Sequence, residues 1–175
     1  MITELRQTIR NVPDFPKKGI VFRDITTLLK DAKAFRNTID AFYEKYHSER
    51  IDKVVGIESR GFIFGAPLAY KFSAGFVPVR KPKKLPAETL KEEYALEYGT
   101  DSVEVHIDAI TKGERVLLVD DLLATGGTIL ATAKLIERLG GNIVGLAFLI
   151  ELSFLKARTR LGSYDVFSLI QYDSE

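Results

Sequence analysis

The stretch "VLLVDDLLATGGT", Val116 to Thr128, sets the terms on which the rest of this chain is read. Its first four residues form a continuous apolar run, so 116 to 119 reads as a strand covered on both faces. From Ile129 the apolar residues Ile129, Ala133, Ile136 and Leu139 recur at helical spacing until Gly140 and Gly141 end them. The intervening loop therefore runs into a helix N-terminus, where free main-chain N–H groups and the positive end of the helix dipole favour an anion. Gly126 and Gly127 let the backbone turn tightly beside Ala124, Thr125 and Thr128 offer hydroxyls, and there is no lysine. A phosphate suits that turn. Asp120 and Asp121 do not suit it, because like charges repel; they fit sugar hydroxyls, which donate to carboxylates, or a hydrated magnesium ion. A phosphate on one side and a diol on the other describe ribose 5-phosphate. The familiar nucleotide loops GxxxxGK[ST] and GxGxxG are absent. The plain alternative is a strand-to-helix turn whose two acids are merely solvated.

Outward from this stretch, "KVVGI", "FVPVR" and "IVGLAFLI" repeat the continuous apolar pattern of "RVLLV", with helical patterns after the first, third and fourth runs in chain order. The tail "YDVFSLIQY" reads as a last strand. Together they predict an open α/β fold, a mainly parallel twisted sheet flanked by helices. Ligands in such folds sit at the carboxyl ends of the strands, which singles out "ESRG", "KPKKLP" and "DDLLATGGT". Residues 2 to 11 suit a short amphipathic helix. In "VPDFPKKGIVFRD" two prolines and a glycine argue against regular structure before Ile20. Phe35, Ile39, Phe42, Tyr43 and Tyr46 predict a helix over 32–48 capped by Asp31. Residues 81 to 101 are rich in Lys, Glu, Pro and Tyr and show little of a core element; so long a loop is a mobile lid or a misassigned element, and a charged surface hairpin is the simplest alternative.

At 175 residues the chain can bury a real core as a single domain, and its 25 basic and 24 acidic side chains nearly cancel. No global field favours nucleic acid or an anionic membrane, so any anion site is local. The absence of cysteine excludes disulfide frameworks, thiolate nucleophiles and zinc-thiolate sites. "MITELRQTIRN" has no apolar signal core and no run approaches the ~20 apolar residues that span a bilayer, so a cytoplasmic protein is expected. His47 and His106, in unrelated surroundings, support neither a zinc site nor a nucleophilic triad. Arg60 follows the strand "KVVGI", where a guanidinium can meet a multiply charged leaving group while the Ser59 and Gly61 amides approach it; taken alone, Arg60 is better explained as a solvated charge.

"VLLVDDLLATGGT" resembles the phosphoribosyl pyrophosphate signature of the type I phosphoribosyltransferases, and its "DDLLATGGT" form is similar to the adenine-accepting branch of that family. "PDFPKKGIVFRDIT", "ESRGFIFGAPLA" (58–69), "KKLP" (83–86), "LEYG" (96–99) and "FSLIQYD" extend the resemblance over nearly the whole chain. It implies transfer of a phosphoribosyl group from 5-phosphoribosyl-1-pyrophosphate to adenine, giving AMP and pyrophosphate with Mg2+ carried mainly by the substrate, in a homodimer. By the same resemblance Asp120, Asp121 and Ala124 to Thr128 hold ribose 5-phosphate, and Ser59, Arg60, Gly61, Lys81 and Lys84 meet pyrophosphate. Glu97 is the proton-handling carboxylate and, with Arg60, the catalytic pair. Residues 1–30 form a hood over the base, with Phe22 stacking, main-chain groups of Val21 and Arg23 reading its edge, and Leu122 covering the other face. Residues 81–101 form the flexible catalytic loop; Ala87 stands where the family usually has glycine, which implies a stiffer hinge. The remaining alternatives are transfer to another base, or a non-catalytic regulator that senses phosphoribosyl pyrophosphate; the near-zero net charge and lack of an added DNA-binding segment disfavour the regulator.

Overall fold

A computed structural model describes residues 2–96 and 99–174. After helix α1 (Ile2–Gln7) the chain forms a ribbon of two antiparallel strands, β1 (Arg10–Pro13) and β2 (Val21–Asp24), then helices α2 (Thr26–Leu29) and α3 (Ala32–Tyr46). The strand β1 corrects the expectation that residues 2 to 11 are one helix and that nothing regular precedes Ile20. The prolines and Gly19 occupy the ribbon's turn and its margin, and Asp14 accepts a hydrogen bond from the Gly19 amide across that turn at 2.7 Å. Helix α3 starts where its cap predicts, with the Asp31 carboxylate accepting from the amides of Lys33 and Ala34.

Next come β3 (Lys53–Ile57), α4 (Arg60–Phe72), β4 (Gly75–Val79), β5 (Thr89–Ala95), β6 (Thr100–His106), β7 (Arg115–Leu123), α5 (Gly127–Arg138) and β8 (Asn142–Leu152). A 3-10 turn (Ser153–Leu155), the single-turn helix α6 (Arg158–Leu161) and β9 (Val166–Tyr172) complete the chain. The central sheet runs β4-β3-β7-β8-β9, all parallel. The helical pattern expected after the fourth apolar run is thus only two isolated turns.

Alternate residues of the strands feed two cores. Leu117, Val119 and Leu149 pack with Phe42 and Phe64 on one face, while Val116, Leu118 and Phe148 pack with Ile129 and Ile136 on the other. Removing one such fully buried side chain to alanine costs about 2–5 kcal/mol. Helix α4 carries the chain outward from β3 to β4, and α5 carries it the opposite way from β7 to β8. The strand order therefore reverses between β3 and β7, and the crevice beyond their carboxyl ends is where an open α/β sheet takes its ligand.

Candidate active site

Strand β7 does not stop at Val119 as its apolar run suggested. Its pairing with β8 continues through Asp120↔Phe148 and Leu122↔Ile150 to Leu123↔Glu151, so both aspartates belong to the strand. Between them the in-and-out alternation changes parity: Val119 and Leu122 both side with the α4 core, and Leu123 with the other. The two carboxylates can thus share one crevice.

Ala124 to Gly126 then turn the chain into α5. Gly126 is its N-cap at φ +81°, in the left-handed region that glycine alone enters without strain, and no side chain caps the helix. The amides of the first turn have no partner within the helix. They face a small pocket of about 80 Å³ lined by Asp120 and residues 122–129. Thr125 and Thr128 donate no side-chain hydrogen bond among the described residues.

The acids lie in a wider cleft of about 420 Å³, lined also by Ser59, Arg60, Lys81, Leu122 and Thr128. Burial raises the Asp120 carboxyl well above its ordinary range, and the neighbouring Asp121 charge adds to this. Asp121, only 5 % exposed, is also raised by burial, against the pull of Arg60, whose Nε stands 2.7 Å from its Oδ2. The pairing of Arg60 with an acid was not foreseen in the sequence, where the two residues lie 61 positions apart. The same guanidinium sits 5.6 Å from the centroid of the Phe22 ring, which brings β2 to the cleft.

Gly61 also has a packing role. A Cβ there would lie 2.8 Å from the Val119 carbonyl oxygen and 3.0 Å from Asp120 Oδ1, so the glycine lets α4 press against β7 and thereby sets where Arg60 points. Ser59 is exposed and its hydroxyl caps nothing; the Glu58–Ser59 peptide is cis.

On β2, Phe22 packs edge-on against Phe15, with centroids 5.2 Å apart. The side chain of Arg23 lies away from Phe22: its guanidinium stacks 4.0 Å from the Tyr172 centroid and donates to Asn11 Oδ1 at 2.7 Å. Val21 is half-buried in the same strand. Leu122 lines both the small pocket and the cleft.

The segment 81–101 is more regular than its composition suggested. Strands β5 and β6 form an antiparallel hairpin in which Val103 and Val105 are buried, and Tyr94 reaches the turn into α5, 3.2 Å from where a Gly127 Cβ would stand. Burial would lower the Lys81 ammonium, yet hydrogen bonds to Asp101 and to the Tyr94 hydroxyl (2.8 Å) outweigh it and raise the group. Lys81 therefore lines the cleft while held by the hairpin. Lys84 is exposed and outside the cleft lining; its carbonyl accepts from Arg80, which also pairs with Glu58. Glu97 lies outside the described residues. Tyr94 and Asp101 are the residues sequence reasoning missed here; for Asp101 the available signal was the alternation of "TDSVEVH". No group of three or more His, Cys, Asp or Glu is placed to hold a metal among the described residues. No helix among them is long and apolar enough to cross a membrane.

Residues 24–174 match the family model described as "Phosphoribosyl transferase domain". The adenine phosphoribosyltransferase of Acidobacterium capsulatum is 61% identical to this chain over 96% of it and 93% of the relative. The crystal structure of adenine phosphoribosyltransferase from Thermoanaerobacter pseudethanolicus is 57% identical and superposes with a TM-score of 0.95, covering 98% of this chain and 100% of that one. A structure of the Trypanosoma brucei enzyme in complex with AMP, pyrophosphate and ribose-5-phosphate is 27% identical, with a TM-score of 0.88 over 97% of this chain and 79% of that one.

Proposed function

This chain belongs to the adenine phosphoribosyltransferases, and from that premise we propose how its residues divide the reaction. The reaction joins adenine to 5-phosphoribosyl-1-pyrophosphate and yields AMP and pyrophosphate, a purine-salvage step. The observation that carries the proposal is the meeting of an uncapped helix N-terminus and a buried acid pair in the crevice between β3 and β7.

In this reading the amides of Ala124 to Thr128 and the two threonine hydroxyls receive the 5-phosphate. Asp120 and Asp121 accept the ribose hydroxyls, which offsets the cost of keeping two adjacent carboxylates out of water. Arg60, Ser59 and Lys81 face the departing pyrophosphate, with Lys84 joining from the rim and Gly61 contributing its amide. As bond breaking leaves the sugar oxocarbenium-like, fixed cations stabilise the charge on the leaving group. Phe22 stacks on adenine, main-chain groups of Val21 and Arg23 meet its edge, and Leu122 covers its other face. The acid pair offers only oxygen, the donor Mg2+ prefers, so Asp120 and Asp121 would hold a hydrated ion carried mainly by the substrate, and its chemistry there would be charge neutralisation on pyrophosphate.

The hairpin β5–β6 is the lid in this account, and Lys81 leaves Asp101 and Tyr94 for pyrophosphate when substrate enters. Ile63 and Tyr70, 38 % and 87 % exposed and seven residues apart on α4, give one apolar stripe suited to a homodimer contact. Steady-state kinetics on Glu97→Ala test the division of roles. Turnover falls by ~10²–10³ while affinity for ribose 5-phosphate stays close to wild type. An equal loss of ribose 5-phosphate affinity refutes the assignment.

A further inference from the structure

The phosphate-type turn carries no basic residue, yet one comes to it from elsewhere in the chain. Nη1 of Arg160, on α6, donates to the Thr125 carbonyl oxygen at 3.2 Å. The Thr125–Gly126 peptide is not among the cis bonds, and in a trans peptide the C=O of one residue and the N–H of the next point in opposite directions. Fixing the Thr125 oxygen toward α6 therefore fixes the Gly126 N–H away from α6, and Gly126 lines the small pocket.

Helix α6 is itself firmly seated. Ala157, just before it, and Leu161, within it, are each 1 % exposed and back onto Gly126, where an added Cβ would stand 3.4 Å from Ala157 Cβ. A four-residue helix has little stability of its own. What holds it is Arg158, whose Nε and Nη2 each donate at 2.8 Å to the two oxygens of Glu151, a carboxylate only 2 % exposed, while Nη1 donates to the Val166 carbonyl at 3.0 Å. This two-pronged pair fixes orientation as well as position. Glu151 is the register partner of Leu123 at the end of β7, so the clamp and the turn are referenced to the same strand.

We infer that Arg160 is a positioning residue for 5-phosphate binding, aiming the Gly126 amide through the Thr125 carbonyl, and that the Glu151–Arg158 pair anchors the helix from which it acts. The inference rests on the reading that Ala124 to Thr128 seat the 5-phosphate. Arg160 is exposed, so its truncation leaves the fold intact.

Steady-state kinetics on Arg160→Ala, Arg160→Lys and Thr128→Val, alongside thermal melts, provide the test. Arg160→Ala raises KM for 5-phosphoribosyl-1-pyrophosphate about threefold to tenfold, the loss expected for one orienting hydrogen bond, with kcat, the adenine KM and Tm near wild type. Arg160→Lys, which keeps a donor, recovers part of that loss. An unchanged KM in Arg160→Ala while Thr128→Val raises it overturns the positioning role and leaves the phosphate seat standing. If neither variant moves that KM, the turn is not the phosphate's seat and the inference falls with it. A parallel rise in both substrates' KM values with a lowered Tm marks a merely structural residue and overturns it as well.

Discussion

The turn from Ala124 to Thr128 and the acid crevice a few residues before it are made of different materials. The turn is main chain: amides at a helix N-terminus, shaped by glycines and small residues, with no charge of its own. The crevice is side chain: two carboxylates, a guanidinium from α4, and an ammonium held by a hairpin. A main-chain site costs the fold little, because those amides lack helical partners in any case. The crevice carries an electrostatic cost, since burial raises both carboxyls. Binding energy in the first is spread over many small contacts; in the second it is concentrated in few.

That difference ranks the expected damage. Asp120→Asn keeps the shape but removes the charge and replaces one of the two acceptor oxygens with a donor, so under the proposed ribose contact kcat/KM for 5-phosphoribosyl-1-pyrophosphate falls by about 10- to 150-fold, the worth of a charged hydrogen bond. A fall smaller than that of a turn variant reverses the ranking. Thr125→Val and Thr128→Val each remove one hydroxyl from a seat that keeps its amides, so each raises the same KM by about 2- to 10-fold in steady-state assays.

The pH dependence separates the two regions further. Both aspartates titrate above the ordinary 3.8 in the fold, so the folded state binds protons more tightly than the unfolded chain there. Their burial is cheapest below the unfolded value and destabilises increasingly as pH rises through the folded values. If ribose binds the ionised pair as proposed, affinity for 5-phosphoribosyl-1-pyrophosphate decays on acidification at a pH above that of an ordinary aspartate. Asp24, lowered to about 2 first by its bond from the Thr26 amide, acts oppositely: its contribution is present above the unfolded value and is lost as pH falls toward 2. A binding titration whose acid limb lies at or below 3.8 contradicts the raised pair. The smallest effect is expected from Tyr94→Phe, which removes one of two partners of Lys81 and leaves Asp101; kcat changes by less than about threefold.

The same contrast explains what the sequence made legible. A site built from backbone is written locally: an apolar run, two glycines and a helical repeat were enough to locate the turn and the sheet that carries it. The Arg60–Asp121 pair and the Lys81–Asp101 contact depend on which elements become neighbours in the fold, and no local pattern encodes them. Strand β7 was cut short because two aspartates look like the end of a strand, although pairing with β8 carries them on to Leu123. The hairpin β5–β6 was hidden because charged residues on its outer face diluted the alternation of Val103 and Val105. The ribbon strand β1 was hidden by the prolines that flank its turn, and the family resemblance supplied the roles of Glu97 and Lys84 where local chemistry was silent.

The most direct test of the central claim is a crystal structure of the protein with 5-phosphoribosyl-1-pyrophosphate and Mg2+. The 5-phosphate is expected within hydrogen-bonding distance of the amides between Ala124 and Thr128, with the ribose hydroxyls on Asp120 and Asp121. A phosphate seated on other residues, or a ribose turned away from both aspartates, contradicts the account.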